Sequence, residues 1–256
     1  MLKKRIIFIL FYQDGFFHLS RNFRLQKVGN IDWLLEKFRF LSIGDYIDEL
    51  IILDVSRNRN LDGSEELLHL DIKKLMKKIF VPLTIGGGIK NIEDASKYFK
   101  IGADKISVNS EISNNPNLLT DIASKFGSQA LVASLDARLD NSQYNVFADY
   151  GNKNFGSLSE NMKLVQELGA GEIIITSIDR DGTSAGLDID MLNNFPDLEI
   201  PIIACGGAGK PEHFYDVLSL PYISGVATGN LFNFIGTGFY ELRKELCNQL
   251  PNLRKI

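Results

Sequence analysis

The 256-residue chain is 45% hydrophobic and 23% charged, with a formal net charge of −4. It has enough apolar material for one sizeable core, and no basic excess that would serve a nucleic acid or a polybasic membrane patch. Its length is close to the roughly 250 residues of a single (β/α) barrel, so one domain spanning 1–256 is expected, with any small or acidic ligand held by local loops.

Residues 5–12, RIIFILFY, form an almost wholly apolar run of the kind that parallel strands buried on both faces show. Lys3, Lys4 and Arg5 precede it as in a secretory signal, but the run stops at Gln13-Asp14-Gly15 without a small-residue cleavage site. It reads as a first strand. No other run approaches the roughly 20 apolar residues of a membrane span.

A long loop, 13–31, leads to a helix over 32–41 and a second strand over 49–54. The polar segment SRNRNLDGS (56–64) then precedes a helix over 65–79 and a strand over 81–85. The next helix starts near Asn91, which suits an N-cap, and 103–108 is the fourth strand. Pro116 opens another helix, which stops at Gly127. After a fifth strand over 130–135, the stretch 138–156 is unlike a short barrel loop. YNVFADY alternates between Asp140-Asn141 and Gly151-Asn152, which predicts a β-hairpin extension. A helix over 159–168, strands over 172–177, 201–205 and 223–227, and a closing helix over 239–249 complete the chain. Eight such units predict an α/β fold, a single closed eight-stranded parallel TIM barrel with its active face at the strand C-termini.

The barrel is a doubled object. PLTIGGGIKNIEDASKYFKIGADKISVNS (82–110) and PIIACGGAGKPEHFYDVLSLPYISGVATGN (201–230) share one design of strand, glycine loop, helix and strand. Two similar half-barrels follow, matching Gly88 to Gly207, Glu49 to Glu172, and Phe11 to Asp136. Glycine loops at strand ends bring backbone N–H groups close to a ligand, and a following helix N-terminus adds partial positive charge. One anion pocket per half is expected, hence two phosphates. Neither loop completes G-x-G-x-x-G, and GGAGKP lacks Walker spacing. The two cysteines, Cys205 and Cys247, have no metal-ligand spacing and suit reduced thiols in the cytoplasm. No cofactor, metal or disulfide is expected.

LTIGGGIK, GADKISVN, FGSQALVASLDA, GAGEIIITSIDRDGT and PIIACGGAGKPEHF together resemble, in order and over nearly the whole chain, the cyclase subunit of imidazole glycerol phosphate synthase, the HisF family. The resemblance implies that Gly87, Gly88, Asn109 and Ser110 hold one phosphate of a doubly phosphorylated ligand. Asp181, Gly182, Thr183, Gly206, Gly207, Gly229 and Asn230 would surround the other. It also implies a class I glutaminase subunit on the N-terminal barrel face, whose ammonia passes through the barrel. Arg5, Glu49, Lys105 and Glu172 would form the gate beneath it, a closed ring of ion pairs, and Asp104 would face the partner.

The departures concentrate at the chemistry. Family cyclases, which belong to the lyase class, carry an aspartate at the end of strand one; this chain has Ile9-Leu10-Phe11. A phenyl ring cannot transfer a proton, so Asp136 is left as the single catalytic carboxylate. Asp14 is three residues away but belongs to the loop. GFFHLS also places His18 and Leu19 where the family has a lysine. These losses resemble a divergent branch tied to acetamidino modification of surface sugars such as those of lipopolysaccharide, which works with a glutaminase homologue and a separate ATP-dependent sugar amidotransferase. The alternatives are a working cyclase of histidine biosynthesis, a related sugar-isomerase barrel that also needs the strand-one carboxylate, and a binding module for a phosphorylated metabolite without chemistry.

Overall fold

The computed structural model describes residues 3–56, 64–148, 151–230 and 237–255. Its strands in chain order are β1 (Arg5–Gln13), β2 (Phe16–Arg21), β3 (Arg24–Gly29), β4 (Glu49–Asp54), β5 (Leu83–Gly86), β6 (Lys105–Val108), β7 (Leu131–Asp140), β8 (Gln143–Ala148), β9 (Lys153–Ser157), β10 (Glu172–Ser177), β11 (Ile202–Cys205) and β12 (Ile223–Thr228). Eight of them, β1, β4, β5, β6, β7, β10, β11 and β12, pair in parallel in that order. The sheet closes where β12 meets β1, with Arg5 opposite Gly225. The chain is a (β/α)8 barrel.

Alternation along each strand builds two apolar layers from one sequence. On β1, Ile6, Phe8, Leu10 and Tyr12 pack outward against the helices, while Ile7 and Ile9 join Ile51, Val132, Ile174 and Ile203 inside the barrel. Each such buried side chain contributes about 1.5–3 kcal/mol.

Around the sheet lie α1 (Leu41–Gly44), α2 (Ser64–Met76), α3 (Ile92–Lys100), α4 (Glu111–Asn114), α5 (Asn117–Phe126), α6 (Leu158–Glu167), α7 (Ile189–Asn193), α8 (Pro211–Leu218) and α9 (Gly238–Gln249). Asn91 caps α3 as expected, accepting a hydrogen bond from the Asp94 amide at 2.8 Å. The helix expected over 32–41 is instead broken. A π-helical turn (Trp33–Lys37) gives way at Arg39, whose φ is 57°, and α1 follows. The reversal drives Phe40 into the core, where its ring meets Phe8 edge-on at 5.2 Å. Most of the polar SRNRNLDGS segment lies outside the described residues.

The loop expected over 13–31 is also different, because β2 and β3 make a hairpin that continues from β1. The hairpin expected after the fifth barrel strand is present as β8 and β9 on the end of β7. Both hairpins therefore spring from equivalent strands of the two half-barrels. Their registers place Phe11 opposite His18 in one and Asp136 opposite Phe147 in the other.

Candidate functional site

The C-terminal mouth of the barrel holds a cavity of about 1050 Å³. Gly87, Gly88, Asn109 and Ser110, all expected at the first anion pocket, line it together with Phe11 and Asp136. Gly87 and Gly88 adopt φ of 105° and 56°, which lets the β5–α3 turn face the cavity with bare backbone. Downward, the cavity reaches Ile51, Ser107, Ser134 and Ile174 in the middle layer of the barrel. Asp54, also at a strand end, spends one carboxylate oxygen on the Ser56 amide at 2.9 Å.

Asp136 is the chemical centre of this space. Protein surrounds it closely although its carboxylate still touches the cavity, and burial pushes its pKa up to about 7, aided by Asp181 and opposed by hydrogen bonds from Asn109 and Thr176. Asn109 Nδ2 donates to Asp136 Oδ2 at 3.0 Å and to the Ser134 carbonyl at 2.9 Å. Asn109 is thus engaged inward as well as lining the cavity beside Gly87 and Gly88. This function escaped the sequence reading, although its alternation with Lys105 and Ser107 along β6 points all three into the barrel. A carboxyl group poised near neutral pH can give or take a proton. Phe11, half-buried on β1, occupies the equivalent place in the other half and can do neither. Its ring lies against Gly229, where an added Cβ would stand 3.1 Å from Phe11 Cε2.

The place expected for the second anion differs from the first. Asp181, Gly182, Gly206, Gly207, Gly229 and Asn230 come together as expected, but the space between them is only about 20 Å³. The β2–β3 hairpin fills the rest. Ser20 Oγ donates to Asp181 Oδ2 at 2.5 Å, the Phe23 amide to the same oxygen at 3.1 Å, and the Asn22 amide to the Asp181 carbonyl at 3.0 Å. Burial holds the Asp181 carboxyl above its ordinary range against those two bonds to its side chain. Thr183 turns its hydroxyl to the Arg180 carbonyl at 2.8 Å and does not line the pocket. The hairpin escaped the sequence reading because its turn, Asn22-Phe23, has φ of 48° and 60° without the usual glycine. Contacts with Asp181 hold it there.

At the opposite, N-terminal end, four charges close into a ring. Arg5 bonds Glu49 Oε1 at 2.5 Å and Glu172 Oε1, while Lys105 Nζ reaches Glu49 Oε2 at 3.3 Å and Glu172 Oε2 at 2.8 Å. Each cation touches both carboxylates, so each buried acid is neutralised twice. Burial works against the charged Arg5, but Glu172 and Glu49 outweigh it and hold the guanidinium above the ordinary arginine range. Asp104, exposed beside the ring, accepts the Leu83 amide at 2.8 Å, as Asp48 accepts the Ile6 amide at 2.8 Å. No helix among the described residues is long and apolar enough to cross a membrane.

A model of the family described as histidine biosynthesis protein matches residues 42–236. The chain belongs to this family. Among its HisF-named relatives, the putative imidazole glycerol phosphate synthase subunit hisF2 of Parasynechococcus marenigrum (strain WH8102) is 42% identical over 96% of this chain and 91% of the relative. The imidazole glycerol phosphate synthase subunit HisF of Pelodictyon phaeoclathratiforme (strain DSM 5477 / BU-1) is 42% identical over 91% of this chain and 92% of its own. That of Thermotoga sp. (strain RQ2) is 39% identical over 99% and 98%.

Proposed function

We propose that this HisF-family chain is the synthase subunit of a glutamine amidotransferase complex that conducts ammonia but no longer closes a ring. A class I glutaminase docks on the N-terminal floor around Arg5, Asp104 and Lys105, and its ammonia enters through the charged ring. The crown cavity descends to Ser107, Ser134 and Ile174, one layer above that ring, which supports a short, mostly dry path upward. Neutral ammonia crosses such a path without the protonation it would meet in bulk water. Gly87, Gly88, Asn109 and Ser110 are the candidates for holding a phosphorylated ligand in the open cavity; Asp181, Gly182, Gly206, Gly207, Gly229 and Asn230 could hold a second anion only with the β2–β3 hairpin moved off them, and Thr183 faces away from that space. The acceptor proposed is a surface sugar undergoing acetamidino modification, with an ATP-dependent sugar amidotransferase as third component.

The observation that carries this reading is Phe11. Ring closure asks one group to take a proton while another gives one, and each such group typically contributes about 10²–10⁴-fold. Asp136 alone cannot do both from one side of the cavity. A second reading, a cyclase of histidine biosynthesis, is favoured by Asp136 near pKa 7 and by relatives named as imidazole glycerol phosphate synthase subunits. The doubly phosphorylated cyclase substrate, supplied with ammonium salt at high pH, separates the two. Turnover close to that of an aspartate-bearing cyclase would restore the histidine-pathway enzyme. No turnover, together with ammonia-dependent amidation of a sugar once a sugar amidotransferase is added, supports the conduit. Phe11→Asp should recover ring closure only in part, because Leu19 still stands where the family has its lysine.

A further inference from the structure

The end of α2 carries an unusual run, KKLMKKIF over 73–80, in a chain whose net charge is negative. Lys74 is spent on Asp32, but Lys77 and Lys78 are exposed and make no salt bridge among the described residues. Phe80 follows with 90% of its surface exposed, against 57% for Leu70, the next most exposed large apolar residue described. Nothing about the fold calls for a solvated phenyl ring there, since its neighbour Ile79 is the side chain that turns inward and packs against Gly44.

This run lies on the barrel floor beside the charged ring. Two residues after Phe80, the Pro82 carbonyl accepts the amide of Leu50, next to Glu49, at 3.0 Å. The Asp104 amide, next to Lys105, donates to the Leu83 carbonyl at 2.8 Å. An aromatic residue and two lysines with no ion-pair partner among the described residues thus stand on the rim of the barrel floor.

We infer that Phe80 is the apolar anchor, and Lys77 and Lys78 the electrostatic guide, by which the floor takes the glutaminase subunit. The partner face they fit is an apolar pocket rimmed by carboxylates. This rests on the docking reading above and adds to it the residues that give the contact its strength and its approach. Aromatic residues that fill a partner's pocket carry a disproportionate share of binding, while rim charges act mainly on association. A protein partner fits better than an anionic lipid surface, because the exposed carboxylates Asp45 and Asp104 stand on the same floor as the lysines, and a protein face can set carboxylates against Lys77 and Lys78 and cations against Asp45 and Asp104, which a uniformly anionic surface cannot. A bilayer there would also cover the ring.

The test titrates the purified full-length chain with the purified class I glutaminase of its own organism, by calorimetry for affinity and by stopped-flow mixing at several salt concentrations for association rate, for the unaltered protein, Phe80→Ser and Lys77→Glu/Lys78→Glu. Phe80→Ser should weaken binding by about 30-fold or more, with the melting temperature unchanged because the ring is exposed. The lysine reversal should slow association by about tenfold and flatten its dependence on salt. Equal binding by Phe80→Ser would remove the anchor while leaving the docking intact. No binding by the unaltered chain would remove the docking and the anchor with it. A fall of several degrees in the melting temperature of Phe80→Ser would show that the ring packs within the chain and overturn the inference. So would sedimentation with phosphatidylserine–phosphatidylcholine vesicles that Phe80→Ser abolishes, which would assign the patch to a membrane.

Discussion

Asn109 donates its side-chain amide to Asp136 across the β6–β7 strand pair, Nδ2 to Oδ2 at 3.0 Å. The bond favours the charged carboxylate and so opposes the burial that raises its pKa. Asn109→Ala should therefore move the Asp136 pKa above about 7. Carboxyl carbon NMR with labelled aspartate reads this directly, and a pKa that stays or falls would show that the amide does not tune this carboxylate.

The same shift makes stability depend on pH with a definite sign. Asp136 rises from 3.8 to about 7 on folding, so between those values the folded chain keeps a proton that the unfolded chain releases. Its contribution is fully present below pH 4 and lost as pH rises through 7. Asp136→Asn lacks that loss, so at pH 8 it should be the more stable protein, by on the order of 2–4 kcal/mol. At pH 4 the difference should vanish. Urea unfolding at the two pH values checks both halves.

The floor ring should behave as one unit. Arg5→Ala leaves Glu49 and Glu172 with Lys105 alone, and Glu172→Ala leaves two cations sharing one acid. Each should cost about 2–4 kcal/mol, because a partly unpaired charge stays buried. The double variant should cost less than the two together, by about 1–3 kcal/mol. Strict additivity in denaturant titrations would mean that the four residues are not coupled.

The hairpin over Asp181 and Gly182 can be dislodged from beneath. A Cβ on Gly182, whose φ is 67°, would stand 2.1 Å from the Ser20 carbonyl oxygen and 2.8 Å from Arg21 Cα, both backbone atoms of the hairpin, so the hairpin itself must move. Gly182→Val should release the hairpin, so that trypsin cuts at Arg21 or Arg24 roughly tenfold faster or more while the barrel stays folded. Cleavage at the unaltered rate would place the hairpin's hold elsewhere.

The two thiols should separate by reactivity. Cys205 is buried in the barrel and pushed up to about 12 by that burial and by nearby Asp181 and Asp136, whereas Cys247 is exposed. Alkylation proceeds through the thiolate. Iodoacetamide at pH 8 should modify one thiol in the folded chain and both in urea, with Cys247 identified by mass spectrometry.

The sequence by itself determined the barrel, its eight strands and its doubling. Those properties are written locally, in alternating apolar runs, in caps such as Asn91 and in glycine loops that repeat at matching strand ends. It also marked Phe11 as a strand-one side chain that cannot transfer a proton, since side-chain chemistry follows from residue type. Only the tertiary structure decided that Phe40 turns inward at Arg39, that 16–29 is a hairpin, and that this hairpin lies on Asp181 and Gly182. The physical reason is that an Asn22-Phe23 turn has no local preference for its left-handed backbone and is held by a carboxylate far away in the chain. The ring shows the same division. Its four charges were legible one at a time, but that each cation grips both acids depends on strands separated by as much as 167 residues meeting at one floor.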